Sequence, residues 1–187
     1  MSLIAHCGKW AFVGVLIAQG SMPVQALTLN YSAQINQGTC QISLDKTQMH
    51  LGTVELSALR GTLVAAQPFT LRVRACSGEY QPGLTPAIKV TGEGLSRDGK
   101  WLFRSAADSV AQGIGIMLIK SDTPPSYGQK PVANGDFLDL AAKNIIPADT
   151  DLNFFAGMAC GSVADCQAAS VKPGRVSARI VFDFVYR

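Results

Sequence analysis

The stretch VSARIVFDFVYR (residues 176–187) places Val176, Ala178, Ile180, Phe182, Phe184 and Tyr186 at every second position. Ser177, Arg179 and Asp183 fall between them. A period of two puts successive side chains on opposite faces, so this stretch predicts a strand with one apolar face. The same alternation recurs upstream. Leu27, Leu29, Tyr31, Ala33 and Ile35 alternate with Thr28, Asn30, Ser32 and Gln34. Phe69, Leu71, Val73 and Ala75 alternate with Thr70, Arg72 and Arg74, and Leu152, Phe154, Ala156 and Met158 form a further set. Ile88 and Val90 make a short run that ends at Gly92. GIGIMLIK (residues 113–120) is apolar on both faces, as expected of a central strand covered on both sides.

Turn-forming residues separate these runs: Gly78, Pro82, Gly83 and Pro86; Asp98-Gly99; Pro124-Pro125; Gly128 and Pro131; Asn134-Gly135; Pro173-Gly174. Short alternating strands with turns between them predict an all-β sandwich. Residues 105–112 and 139–144 could each hold one helical turn. No linker, internal repeat or low-complexity tract interrupts the pattern.

The N-terminus has a different composition. Lys9 precedes the apolar run Trp10 to Ala18, Pro23 breaks any helix, and Val24-Gln25-Ala26 offers small residues for a signal peptidase. About nine apolar residues are too few to cross a ~30 Å hydrocarbon layer. Residues 1–26 are therefore expected to be a secretory signal rather than a membrane anchor. Of the five cysteines, Cys7 leaves with it, and Cys40, Cys76, Cys160 and Cys166 remain. An even number in an exported chain argues for disulfides. Three pairings are possible, of which Cys40–Cys76 with Cys160–Cys166 is the simplest. A zinc site would call for closely spaced cysteine pairs such as C-x-x-C, and none is present.

The residue inventory argues against an enzyme. His6 belongs to the leader, so His50 is the one histidine left for a Ser-His-Asp or Cys-His arrangement. His50 sits in MHLG at the expected end of a strand, where a surface imidazole is the ordinary reading. There is no G-x-x-x-x-G-K-[ST], H-E-x-x-H or G-x-S-x-G motif. Gly113 and Gly115 lack the third glycine of a dinucleotide loop. The loop acids Asp149 and Asp151, or Asp136 and Asp139, could pair for glycoside chemistry, but solvated loop acids are the commoner case. No cofactor or metal is indicated. Charges make up 16% of the chain, with a net charge of +3. They are scattered, and Arg72 and Arg74 share one strand face without forming a nucleic-acid stripe.

The ordered set of motifs resembles the pilins of the chaperone–usher pathway, above all the short minor and tip-fibrillum subunits of type 1 and P pili. LNYSAQINQGTC (29–40) resembles the family's donor strand and first core strand, with the small residue Ala33 seven positions before Cys40 where the family usually has glycine. LGTVELSAL (51–59) and PFTLRVRAC (68–76) resemble the segment that closes on the second cysteine, and GIGIMLI (113–119) a mid-domain strand. At the end, such pilins carry a glycine fourteenth from the C-terminus and a penultimate tyrosine, matched here by Gly174 and Tyr186. The Cys160–Cys166 pair departs from the pattern.

The resemblance implies an immunoglobulin-like sandwich that lacks its final strand and is completed by a strand donated from a neighbour. Residues 27–36 would be the donor strand, with Leu27, Leu29, Tyr31, Ala33 and Ile35 as its inward side chains, and residues 37–187 the pilin domain. Gly174, Val176, Ala178, Ile180, Phe182, Phe184 and Tyr186 would build the acceptor groove, which also binds a chaperone. The implied partners are a periplasmic pilus chaperone, an outer-membrane usher and neighbouring pilin subunits, with no nucleic acid and no membrane insertion. The implied role is a structural minor or adaptor subunit of a surface fimbria that serves cell adhesion. An alternative is a pilin-like tip subunit that itself binds a host glycan or protein.

Overall fold

The computed structural model describes residues 38–79 and 82–187. The leader and the alternating run from Leu27 to Ile35 lie outside these residues. The described chain forms nine strands: β1 (Thr39–Leu44), β2 (Val64–Ser77), β3 (Pro86–Thr91), β4 (Gly94–Arg97), β5 (Lys100–Phe103), β6 (Gly115–Lys120), β7 (Phe137–Asp139), β8 (Thr150–Ala159) and β9 (Val181–Tyr186). They make two antiparallel sheets, one in the order β1-β2-β8-β6-β5-β4 and one in the order β7-β3-β9. This is the all-β sandwich that the alternating runs predict, in the immunoglobulin-like form that the resemblance implies.

The main core lies between the sheets. Phe69, Leu71 and Val73 of β2, and Leu152, Phe154, Ala156 and Met158 of β8, are buried from one side, and Ile88 and Val90 of β3 from the other. Phe182 joins the two layers, with its ring 5.6 Å from that of Phe154 and 6.1 Å from that of Phe69. Such aromatic pairs add roughly 0.5–1.5 kcal/mol each beyond their buried area. Strand β6 is central, between β8 and β5, and it is buried on both faces. Its outer face, Met117 and Ile119, packs with Leu102 and Ala159 beneath Leu63, Leu95 and Tyr127.

Three features differ from the sequence expectation. The alternation of β2 breaks at Ala75, which is exposed rather than inward. Thr39 pairs with Ser77 but Gln41 with Arg74, so β2 carries one extra residue there. Ala75 takes a positive φ of 49° at this bulge, which turns Cys76 toward the core. The disulfide Cys40–Cys76 then ties β1 to β2, with 4.0 Å between the α-carbons. The second difference concerns the C-terminal strand, whose sheet pairing starts at Val181 and leaves residues 176–180 outside any ladder. The third is helical. Residues 105–112 hold the expected turn as a 3-10 turn at Ala106–Asp108, and residues 139–144 hold no helix. Two unexpected pieces appear, a 3-10 turn at Leu56–Leu59 and α1 (Val163–Gln167).

Candidate functional site

The site grows from how the last strand spends its backbone hydrogen bonds. Arg187 and Thr85 exchange bonds at 2.7 and 2.9 Å, and the register then pairs Val185 with Ala87, Asp183 with Lys89 and Val181 with Thr91. In an antiparallel ladder these alternate residues direct their N–H and C=O groups at β3. Upstream, the same parity holds against a loop. Val110 and Ala111 donate to the Arg175 carbonyl at 2.8 and 2.9 Å, Ser105 donates to the Ser177 carbonyl at 2.8 Å, and Ser177 donates to Ser109 Oγ at 3.0 Å. The even-numbered residues from Val176 to Tyr186 therefore turn their backbone groups outward. Among the described residues, no strand pairs with that edge.

The even-numbered side chains face the core yet stay half-buried, because the core beside them is open. A groove of about 1030 Å³ runs along this edge. Its floor is Leu59, Phe69, Ile114, Ile116, Ala156 and Met158. One wall is Gly174, Val176, Ala178, Ile180 and Phe182; the other is the irregular stretch that follows β1, from which Met49, Leu51, Val54 and Leu56 face inward. Lys46, His50 and Arg175 also border the groove, and His50 is exposed.

Five of the seven residues expected to form a groove are thus brought together. Phe184 and Tyr186 lie beyond its end, where a Cβ on Gly38 would stand 2.6 Å from the Tyr186 hydroxyl. The wall of Leu51, Val54 and Leu56, and the floor residue Leu59, were not assigned to the site from sequence. Their spacing follows neither a strand nor a helix, and the available signal was only that four apolar residues in an irregular stretch must cover something. Gly174 has a φ of +149°, and it lets the wall approach the loop at Val110 and Ala111.

The loop acids weighed for catalysis have structural tasks. Asp149 accepts from the Ala75 backbone N–H at 3.0 Å, at the bulge, and Asp136 accepts from Ala133 N–H at 2.8 Å. Asp151 pairs with Arg74, and Asp139 holds Arg187 through two bonds of 3.0 and 2.9 Å. The donor residues Leu27, Leu29, Tyr31, Ala33 and Ile35 lie outside the described residues.

The second disulfide, Cys160–Cys166, is buried and joins the end of β8 to α1. Ser162 caps this helix in a reciprocal box with Asp165. The hydrogen bonds from the Ser162 side chain, then from its backbone, hold the Asp165 carboxyl below the usual carboxylate range, with Arg97 assisting. At Tyr127, burial and the neighbouring Asp98 carboxylate raise the phenol above its ordinary value.

No protein-family model matches the sequence, and no curated protein matches it closely enough to be called a relative. Solved structures do resemble it in fold. The P pilus rod subunit PapA aligns over 86% of this chain and 99% of its own, at 17% identity and a TM-score of 0.50. A chaperone–usher pilus structure described for its rod uncoiling aligns over 89% and 99%, at 17% identity and a TM-score of 0.49. The sandwich of this chain has the fold of a pilus rod subunit.

Proposed function

We propose that this protein is a structural subunit of a bacterial surface pilus and that its groove accepts a β-strand from a partner. The observation that carries this reading is the coincidence of a backbone edge from Val176 to Phe182, unpaired among the described residues, with an apolar groove along the same residues. An extended segment laid there would gain backbone pairing from the edge and side-chain burial from the groove, which is the logic of strand addition. Left open, such an edge is a hazard for aggregation. A periplasmic chaperone would fill it first, and a neighbouring subunit would replace the chaperone at an outer-membrane usher.

The reciprocal donor is the segment of residues 27–36, which carries Leu27, Leu29, Tyr31, Ala33 and Ile35. The short run between the expected cleavage site and Cys40 favours a minor or adaptor position, with export through the periplasm and a contribution to cell adhesion at the surface. Full burial of each large apolar side chain is worth roughly 1.5–3 kcal/mol, so a donor strand would contribute several kcal/mol in total.

The test is to purify residues 27–187 alone and with a synthetic peptide LTLNYSAQIN (27–36). Self-association without the peptide, and a monomer of higher melting temperature with it, are expected. A protein that is monomeric and equally heat-stable without any peptide or chaperone would sink the reading.

A further inference from the structure

We propose that the Cys160–Cys166 loop is a clamp that fixes the separation of the two groove walls at the Gly174 end, and so decides which side chain an entering strand can place there. The proposal rests on the reading of the groove as a strand acceptor. It begins with what the disulfide touches. Cys160 and Cys166 are 0% and 5% exposed, and their sulfurs lie 3.3 and 3.5 Å from the carbonyl oxygen of Leu59. Disulfide sulfurs carry no hydrogen, so these are packing contacts. Leu59 ends the 3-10 turn Leu56–Leu59, and both leucines line the groove. The disulfide therefore supports one side of the groove from behind.

The same loop also sets the other wall. From Cys160 the chain enters α1 through the Ser162–Asp165 capping box, and Ala168 N–H closes it onto the Asp165 carbonyl at 3.2 Å. Val171 N–H bonds the Ala168 carbonyl at 2.9 Å, and Lys172 exchanges two 3.0 Å bonds with Gln112. Pro173 and Gly174, the first wall residues on that side, follow directly. A continuous braced path thus runs from the backing of the Leu56–Leu59 turn, where the floor meets one wall, to the start of the opposite wall. Val163 packs near Gly61, where an added Cβ would meet its Cγ2 at 3.3 Å, and Val171 stands near Gly113 in the same way at 2.9 Å.

A purely global stabilising role fits the bond less well. It spans 6 positions against 36 for Cys40–Cys76, so it restricts the unfolded chain far less. What it restricts is the local loop 160–166, which backs Leu59 on one side and leads on the other into the bonded path to Pro173. Packed sites reject oversized side chains only when their walls cannot move apart, and they reward a fitted side chain for the same reason.

The experiment compares residues 27–187 with the double variant Cys160→Ala/Cys166→Ala, in which Cys40–Cys76 remains. Hydrogen exchange on the unliganded proteins is read first. Faster exchange by about tenfold or more in both 56–63 and 171–174, with the β2–β8 ladder unchanged, is expected of local opening in a region that has lost its brace. Acceleration confined to 160–168 overturns the clamp. Peptide binding is read second, using LTLNYSAQIN and its variants Leu27→Ala, Leu29→Ala, Tyr31→Ala, Ala33→Leu and Ile35→Ala. The wild type should discriminate against truncation of a terminal large residue by about tenfold or more, as loss of one buried side chain implies. The double variant should lose that discrimination at one end only, and uniform retention at every position overturns the proposal. Should the double variant fail to fold, Val171→Ala keeps the disulfide and should show the same one-ended loss in smaller measure. If the wild type binds none of the peptides, this chain's own donor segment is not the strand its groove takes, and the exchange data alone then judge the clamp.

Discussion

An added Cβ on Gly174 would stand 2.9 Å from the backbone nitrogen of Ala111. The φ of +149° at the same residue is one that side chains rarely adopt. Both facts serve one end, since Ala111 N–H bonds Arg175 O at 2.9 Å and anchors the groove wall. Gly174→Ala should therefore destabilise the fold by about 1–3 kcal/mol through strain and crowding together. Urea unfolding measures it. A midpoint equal to the wild type's would show that the wall can shift at little cost.

Ala75 invites the opposite change. A side chain in the left-handed region costs roughly 1–2 kcal/mol, and glycine avoids that cost while losing some chain entropy. With a φ of 49° at an exposed bulge, Ala75→Gly should be neutral to stabilising, by up to about 1 kcal/mol. The denaturation midpoint should rise at an unchanged slope. A clear loss of stability would mean that the Ala75 methyl makes a favourable contact.

Asp165 supplies a pH dependence. Its folded-state value lies below the ordinary one, so its contribution is present above the unfolded carboxylate range and is lost as pH falls through the folded value. Helix α1 should thus loosen below about pH 4, near the ordinary aspartate value, and hold at neutral pH. Amide signals of residues 163–168 followed by NMR during acid titration report it. In Asp165→Asn the helix signals should lose this acid-side transition, and an unaltered titration would place the transition elsewhere.

Ala33 is a small residue between Tyr31 and Ile35 in the expected donor strand. If all three face a neighbour's groove, Ala33 meets a shallow place there, and overfilling a closed site costs about 1–3 kcal/mol. Ala33→Gly should be nearly neutral in an in vitro strand-exchange assay. Ala33→Leu should leave folding and chaperone binding intact while slowing or blocking incorporation. Equal exchange rates for alanine and leucine would leave the position without special meaning.

Much of the sandwich was legible because its strands follow simple rules. GIGIMLIK announced a strand covered on both faces, and β6 is that strand. Phe69, Leu71 and Val73 kept their phase, and both cysteine pairs closed as the simplest pairing had it. What escaped depends on tertiary contacts. The bulge at Ala75 carries no glycine or asparagine to mark it. The ladder stops short of residues 176–180 because the loop at 105–111 takes the bonds of Arg175 and Ser177. Leu51, Val54, Leu56 and Leu59 became a wall and a floor through the partner surfaces they meet, which no period encodes. Helix α1 is so short that Ser162 and Asp165 were its main signal.

The two irregularities of β2 have a consequence of parity. One extra residue sits on this strand against β1, at Ala75, and another against β8, where Val64 opposes Met158 but Gln67 opposes Ala156. Ala65, at φ 53°, marks the second. Between these offsets β2 is locked to different neighbours at its two ends, so it cannot slide past either without carrying a surplus residue through a ladder. A one-residue insertion between Gln67 and Val73 would exchange the inward and outward faces of part of the strand, exposing large apolar side chains and burying Arg72 or Thr70. An insertion of two would restore the faces but not the offsets. Loop regions such as 121–131 are under no such odd-even constraint, so length variation is expected there and excluded from β2.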